Sequence, residues 1–141
     1  MTEPLISFEW PVRVYMEDTD AGGIVFYVNY LKYMERARTE CLRRFGFDKT
    51  GIFNRDAMFV VHSMQLAYKA PAQLDECLIV EAHIIQLKRS SVIFRQNVYR
   101  DDELLCEAQV KIACVDRVQM KPVAIPDIMY QTLKNPTLDR D

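Results

Sequence analysis

The 141-residue chain is poor in the residues that usually announce a metal or a nucleophile: it has two histidines, one tryptophan, four glycines and four cysteines. The cysteines, Cys41, Cys77, Cys106 and Cys114, show no CxxC spacing, so they read as reduced core thiols rather than as a zinc or disulfide framework. His62 and His83 stand twenty-one residues apart in strand-like segments, where a lone histidine is packed or solvent-facing far more often than it is a ligand or catalyst. A serine hydrolase is disfavoured by the lack of a GxSxG elbow, and a phosphate loop by the lack of a lysine and hydroxyl residue after the glycines of "AGG". Apolar runs fall short of the eighteen or so residues that a membrane span needs, and the start "MTEPLISFEWPVRV" has neither a basic n-region nor a long h-region. The chain therefore reads as cytoplasmic. Its formal charge of -2 gives no general attraction to nucleic acid or anionic lipid, so any anionic ligand must be held locally.

What is present is a mixture able to fold: half of the residues are hydrophobic and 27% are charged. The length suits one domain spanning 1–141, with no repeat, low-complexity segment or linker dividing it. "EWPVRVYM" (9–16) alternates as a short strand. From Tyr27 the period changes: Tyr30, Met34, Ala37, Cys41 and Phe45 recur at intervals of three and four, predicting one amphipathic helix over 27–45 with Gly46 as its stop. The stretch 47–57 reads as a connection with at most a turn of helix. Beyond it, 58–70, 76–88, 91–100 and 104–116 read as strands. In the last, Cys106, Ala108, Val110, Ile112 and Cys114 alternate with Glu107, Gln109 and Lys111. Short connections at 88–91 and 101–103 predict antiparallel pairing, and a short helix is expected to begin near Pro126. The pattern is an α+β layer, one long helix covered by an antiparallel sheet of five or six strands, with enough apolar surface left over to favour oligomerisation.

The densest chemistry lies in "MEDTDAGGIVFYVNY" (16–30), where Glu17, Asp18 and Asp20 precede Gly22, Gly23 and the helix start. Calcium is excluded by spacing: counting Asp18 as first, the fifth place is Gly22 and the twelfth is Asn29, and a strand rather than a helix leads in. Two readings remain open. Asp18 or Asp20 caps a turn while the glycines allow positive φ. Alternatively, one carboxylate faces the unpaired N–H groups and positive dipole of the helix mouth, the minimum equipment for acyl-transfer hydrolysis. Asp20 lies seven residues before Tyr27, so the second reading requires "AGGIVF" to fold back.

"VRVYMEDTDAGGIVFYVNYLKYMERARTECLR" (12–43), followed in order by "FVVHSMQLAYKAPAQLDE" (59–76) and "CVDRVQMKPVAIP" (114–126), resembles the signature of the hotdog-fold 4-hydroxybenzoyl-CoA thioesterase family, especially its bacterial Tol-Pal-associated acyl-CoA thioesterase branch. The resemblance runs from about Glu9 to Pro126, taken here as the core, with a helical tail over 126–135. It implies a hotdog fold, a central helix wrapped by an antiparallel sheet, and a homodimer or homotetramer. It also implies hydrolysis of an acyl-CoA, with a carrier-protein thioester or a non-catalytic acyl-thioester binder as alternatives. No metal or cofactor is implied beyond the coenzyme A of the substrate.

Carried over by motif, Asp20 corresponds to the family's catalytic aspartate, Gly23 closes its D-x-D-x-x-G pattern, and the Tyr27 backbone N–H polarises the carbonyl. Position 27 departs from that branch, which often has histidine there; the backbone donor is unaffected. Lys88, Arg89, Ser90 and Ser91 of "LKRSS" sit where family members hold coenzyme A with basic residues. On the helix, Glu35 is expected to pair with Arg38, while Tyr30 and Tyr33 read as packing residues. Asn29 is left open between a hydrogen bond at the helix start and exposure.

Overall fold

The computed structural model describes residues 3–47 and 56–136. Strand β1 (Glu9–Arg13) leads into a single 3-10 turn at Met16–Asp18 and then into helix α1 (Asn29–Arg44). Most of the expected connection at 47–57 lies outside the described residues. The strands that follow are β2 (Ala57–Tyr68), β3 (Cys77–Glu81), β4 (His83–Leu87), β5 (Ser91–Arg95), β6 (Val98–Arg100) and β7 (Glu103–Asp116), and α2 (Asp127–Lys134) closes the chain as expected near Pro126. All seven strands join one antiparallel sheet in the order β1-β3-β6-β7-β5-β4, with β2 on the other edge of β7.

Seven strands replace the five or six expected because two of the expected ribbons break. The ribbon 76–88 divides at Ala82, whose N–H continues the β1 register onto Phe8 O (2.9 Å). The ribbon 91–100 interrupts at Gln96 and Asn97. Gln96 is fully buried and points into the helix layer, where its Nε2 donates to Met34 O (2.9 Å) and its Oε1 accepts from Arg38 (2.7 Å). Counted as ribbons, the sheet still has five, and the hotdog architecture holds.

Helix α1 turns Tyr30, Tyr33, Met34, Ala37, Cys41 and Leu42 inward and packs on β1 and β3. Tyr33, Met34, Phe94, Leu78 and Ile84 are among the fully buried side chains of the cluster beneath it. The helix ends in a Schellman motif: Phe47 N–H donates to Leu42 O (3.0 Å) and Gly46 N–H to Arg43 O (2.9 Å), with Gly46 at φ +93°. It is shorter than expected at its start, because Tyr27 and Val28 form a turn ahead of it. Burial makes Cys41, Cys106 and Cys114 inert, raising the Cys41 thiol to about 12 and Cys106 to about 11; Cys77, against expectation, is exposed, and all four are free thiols.

Candidate active site

The acidic stretch folds back on itself as a small hairpin. Asp20 N–H donates to Ile24 O (3.0 Å), Phe26 N–H to Asp18 O (2.9 Å), and Thr19 bridges Val25. Gly23 closes the turn at φ +81°, its N–H on Asp20 O (3.0 Å), and its carbonyl accepts Leu74 N–H (3.2 Å). The returning arm is also bound through Val25 N–H to Ala72 O (2.8 Å). Asp20 thus stands at the tip of a flap whose other arm runs directly into Tyr27 and the helix mouth.

The two aspartates divide the roles that the sequence left open. Asp18 is 5% exposed and structural: its Oδ1 accepts from Asn29 Nδ2 (2.8 Å) and its Oδ2 from Tyr15 N–H (2.9 Å), tying the flap to the first residue of α1. This answers the open question about Asn29, which is buried and bonded. Burial and the neighbouring Asp18 carboxylate hold the Tyr33 phenol well above the usual tyrosine range. Asp20 is exposed; its Oδ1 accepts Gly22 N–H (2.8 Å) as an Asx turn, and its Oδ2 has no partner among the described residues. Replacing Asp18 with alanine would leave the buried Asn29 amide and the part-buried Tyr15 N–H unpaired. A loss of about 2–3 kcal/mol is expected, read as a melting temperature lower by several degrees.

At the mouth, Asn29 N–H donates to Phe26 O (2.8 Å) and Tyr30 N–H to Tyr27 O (3.4 Å), whereas the N–H of Tyr27 meets no acceptor among the described residues. The Tyr27 side chain is 60% exposed and stacks in tilted contact with Phe26 (5.0 Å between centroids) and edge-on to Tyr68 (6.2 Å). Tyr30 and Tyr33 are buried, as expected of packing residues, with the Tyr30 hydroxyl also accepting Ala72 N–H (2.9 Å). Flap and mouth together offer a carboxylate oxygen and an amide without an acceptor among the described residues on one continuous hydrogen-bonded segment.

The remaining candidates lie elsewhere. Lys88 to Ser91 form the β4–β5 turn, closed by Lys88 N–H on Ser91 O (2.8 Å); Lys88 and Arg89 are exposed and Ser91 is buried. Tyr68 pairs with Cys106 and Ser91 with Ala113, so the turn sits seven residues along β7 from the helix mouth, about 23 Å of strand. Within one chain these cations do not meet Asp20. Glu35 and Arg38 are not ion-paired either; Arg38 donates to Gln96 instead, because its guanidinium is turned into the protein, where burial lowers its basicity.

One titratable cluster was not legible in the sequence. Glu9, Glu81 and His83 bring ligand atoms within 4.8 Å of one another across β1, β3 and β4. His83 Nδ1 accepts Phe8 N–H (2.9 Å), so a neutral ring carries its proton on Nε2, 3.3 Å from Glu81 Oε2. That tautomer has no lone pair left for a cation, and with Arg95 3.9 Å from Glu81 the set is a polar network in which Glu81 and His83 are enclosed and Glu9 is exposed. His62 is solvent-facing.

A long helix wrapped by antiparallel ribbons is the hotdog architecture. The chain belongs to the thioesterase superfamily, whose family model matches residues 22–107, a span that includes Tyr27 and the 88–91 turn and begins two residues after Asp20. It is 44% identical over 128 residues to the acyl-CoA thioester hydrolase YbgC of Escherichia coli O6:H1, covering 90% of this chain and 96% of that protein. It is also 44% identical to the acyl-CoA thioesterase YbgC of Haemophilus influenzae, covering 85% and 89%. Among solved structures, a probable thioesterase from Bartonella henselae superposes with a TM-score of 0.80 at 31% identity, covering 85% of this chain and 99% of that one.

Proposed function

We propose that the chain hydrolyses an acyl-CoA thioester to the free acid and coenzyme A, with Asp20 as the reacting carboxylate and the Tyr27 N–H as donor to the carbonyl oxygen. The observation that supports this reading is the fold-back of residues 18–26, which sets the unpartnered Asp20 oxygen on the same flap as the unpaired Tyr27 amide. Two routes balance chemically. Asp20 takes a proton from water as the water oxygen attacks, the C–S bond breaks, and the departing thiolate recovers a proton. Otherwise the Asp20 oxygen attacks, expels the thiolate and forms a mixed anhydride that water then cleaves. Neither route calls on a metal or redox cofactor. The four free thiols fit a reducing, cytoplasmic setting.

The working unit in this reading is a dimer. Strand β2 is twelve residues long, contains neither proline nor lysine, and among the described residues pairs only with β7, leaving a long uncharged edge of the kind that recruits another strand. Antiparallel pairing of two β2 edges about a central twofold sets Tyr68 of one chain against the Ala57 end of the other. Ala57 is paired with Asp116, three residues from the Ser91 partner Ala113, about 10 Å of strand. The basic turn of one protomer thereby approaches the helix mouth of its partner, where the phosphates of a bound coenzyme A need cations.

A thiol-release assay over a panel of acyl-CoAs and the matching acyl-carrier-protein thioesters tests the substrate class. The expected result is turnover of acyl-CoA with kcat/KM at least about tenfold above that for the carrier protein, a difference of about 1.4 kcal/mol in transition-state binding. Preference for the carrier protein, or binding of acyl-CoA without cleavage, would replace this reading.

A further inference from the structure

Tyr68 ends β2 where that strand meets the helix mouth. Its hydroxyl donates to the carbonyl oxygen of Tyr27 at 3.1 Å, across 41 residues of sequence, and its ring stands edge-on to Tyr27 (6.2 Å) and Tyr30 (5.5 Å). In a planar trans peptide the N–H and C=O point in opposite directions, so whatever holds the carbonyl aims the amide of the same unit. The Phe26–Tyr27 unit is held by Asn29 N–H on Phe26 O (2.8 Å), and its N–H is that of Tyr27. The Tyr27–Val28 unit carries the N–H of Val28, which likewise meets no acceptor among the described residues. Its carbonyl receives only a long helical bond from Tyr30 N–H (3.4 Å), so the Tyr68 hydroxyl is its closer restraint. Desolvation, with smaller contributions from Cys106, Tyr27 and Tyr30, raises the Tyr68 phenol, which keeps it a protonated donor near neutral pH.

We infer that Tyr68 is a positioning residue for thioester hydrolysis: its hydroxyl clamps the Tyr27–Val28 peptide so that the Val28 N–H stands beside the Tyr27 N–H as a second donor to the developing oxyanion. The inference rests on the helix-mouth reading above. It assigns the effect to the hydroxyl and gives the ring a packing role alone.

The test compares Tyr68→Phe and Tyr68→Leu with the unaltered full-length protein, by steady-state kinetics on an acyl-CoA that the latter cleaves and by thermal melting. The clamp predicts that Tyr68→Phe loses about tenfold in kcat, less than the 10²- to 10³-fold cost of removing a donor outright. KM should stay within about twofold and the melting temperature within about 2 °C, the change expected of an exposed hydroxyl. Tyr68→Phe with unaltered kcat beside an impaired Tyr68→Leu would assign the role to the ring and overturn the inference. So would a rise in KM alone, or melting of Tyr68→Phe more than about 5 °C lower. Asp20→Asn run in parallel separates the two ideas: a dead Asp20→Asn beside a fully active Tyr68→Phe removes only the clamp, whereas a fully active Asp20→Asn removes the site itself.

Discussion

Asp20→Asn should fold normally and lose roughly 10²- to 10⁴-fold in turnover, the range ascribed to a positioned acid or base. The substitution is clean because asparagine keeps the Oδ1 that accepts Gly22 N–H, so the Asx turn at the flap tip survives. What disappears is an ionised oxygen able to take a proton or attack a carbonyl. Thiol release from acyl-CoA together with a melting curve measures both halves of the expectation. Full activity in a folded variant would remove Asp20 from the chemistry. Single-turnover hydrolysis in ¹⁸O-labelled water then separates the two routes, since label retained in the Asp20 carboxylate marks direct attack by the side chain.

The second large effect concerns assembly. Val61 is half exposed and lies just short of the midpoint of β2, so the register proposed above sets it opposite Met64 of the other copy on the shared edge. Val61→Asp would place a carboxylate against an apolar neighbour in the proposed interface and open the edge-to-edge contact. The expected product is a monomer by light scattering whose kcat/KM for acyl-CoA drops on the order of 10²-fold, the penalty of a badly placed substrate. In the proposed dimer the loss would follow from separating the helix mouth of one protomer from Lys88 and Arg89 of the other. A monomer with undiminished activity would show that a single chain holds the whole site, and a mass of four chains in the unaltered protein would add a second interface to the first.

The helix, its stop at Gly46, and β7 were legible because each is written locally, in a period of 3.6 or of 2 and in one glycine. The breaks at Ala82 and at Gln96–Asn97 were not. Ala82 keeps the buried parity of Leu78, Val80 and Ile84, and the reason Gln96 turns inward, the Met34 carbonyl and Arg38, lies some sixty residues away. The same distinction runs through the site. The motif pointed to an acidic turn, yet only burial separates Asp18, bonded to Asn29, from Asp20 at the tip. No spacing rule relates Tyr68 to Tyr27, and the turn 88–91 was readable as a hairpin without any hint of its distance from the helix mouth.

The bond between Asp18 and Asn29 welds the flap to the helix inside a single protomer. In the proposed mechanism the reacting groups therefore sit on one protomer, apart from the turn proposed to hold coenzyme A. In the proposed site, exchanging Lys88 or Arg89 is then expected to change affinity for the coenzyme A moiety while leaving Asp20 and the helix mouth untouched.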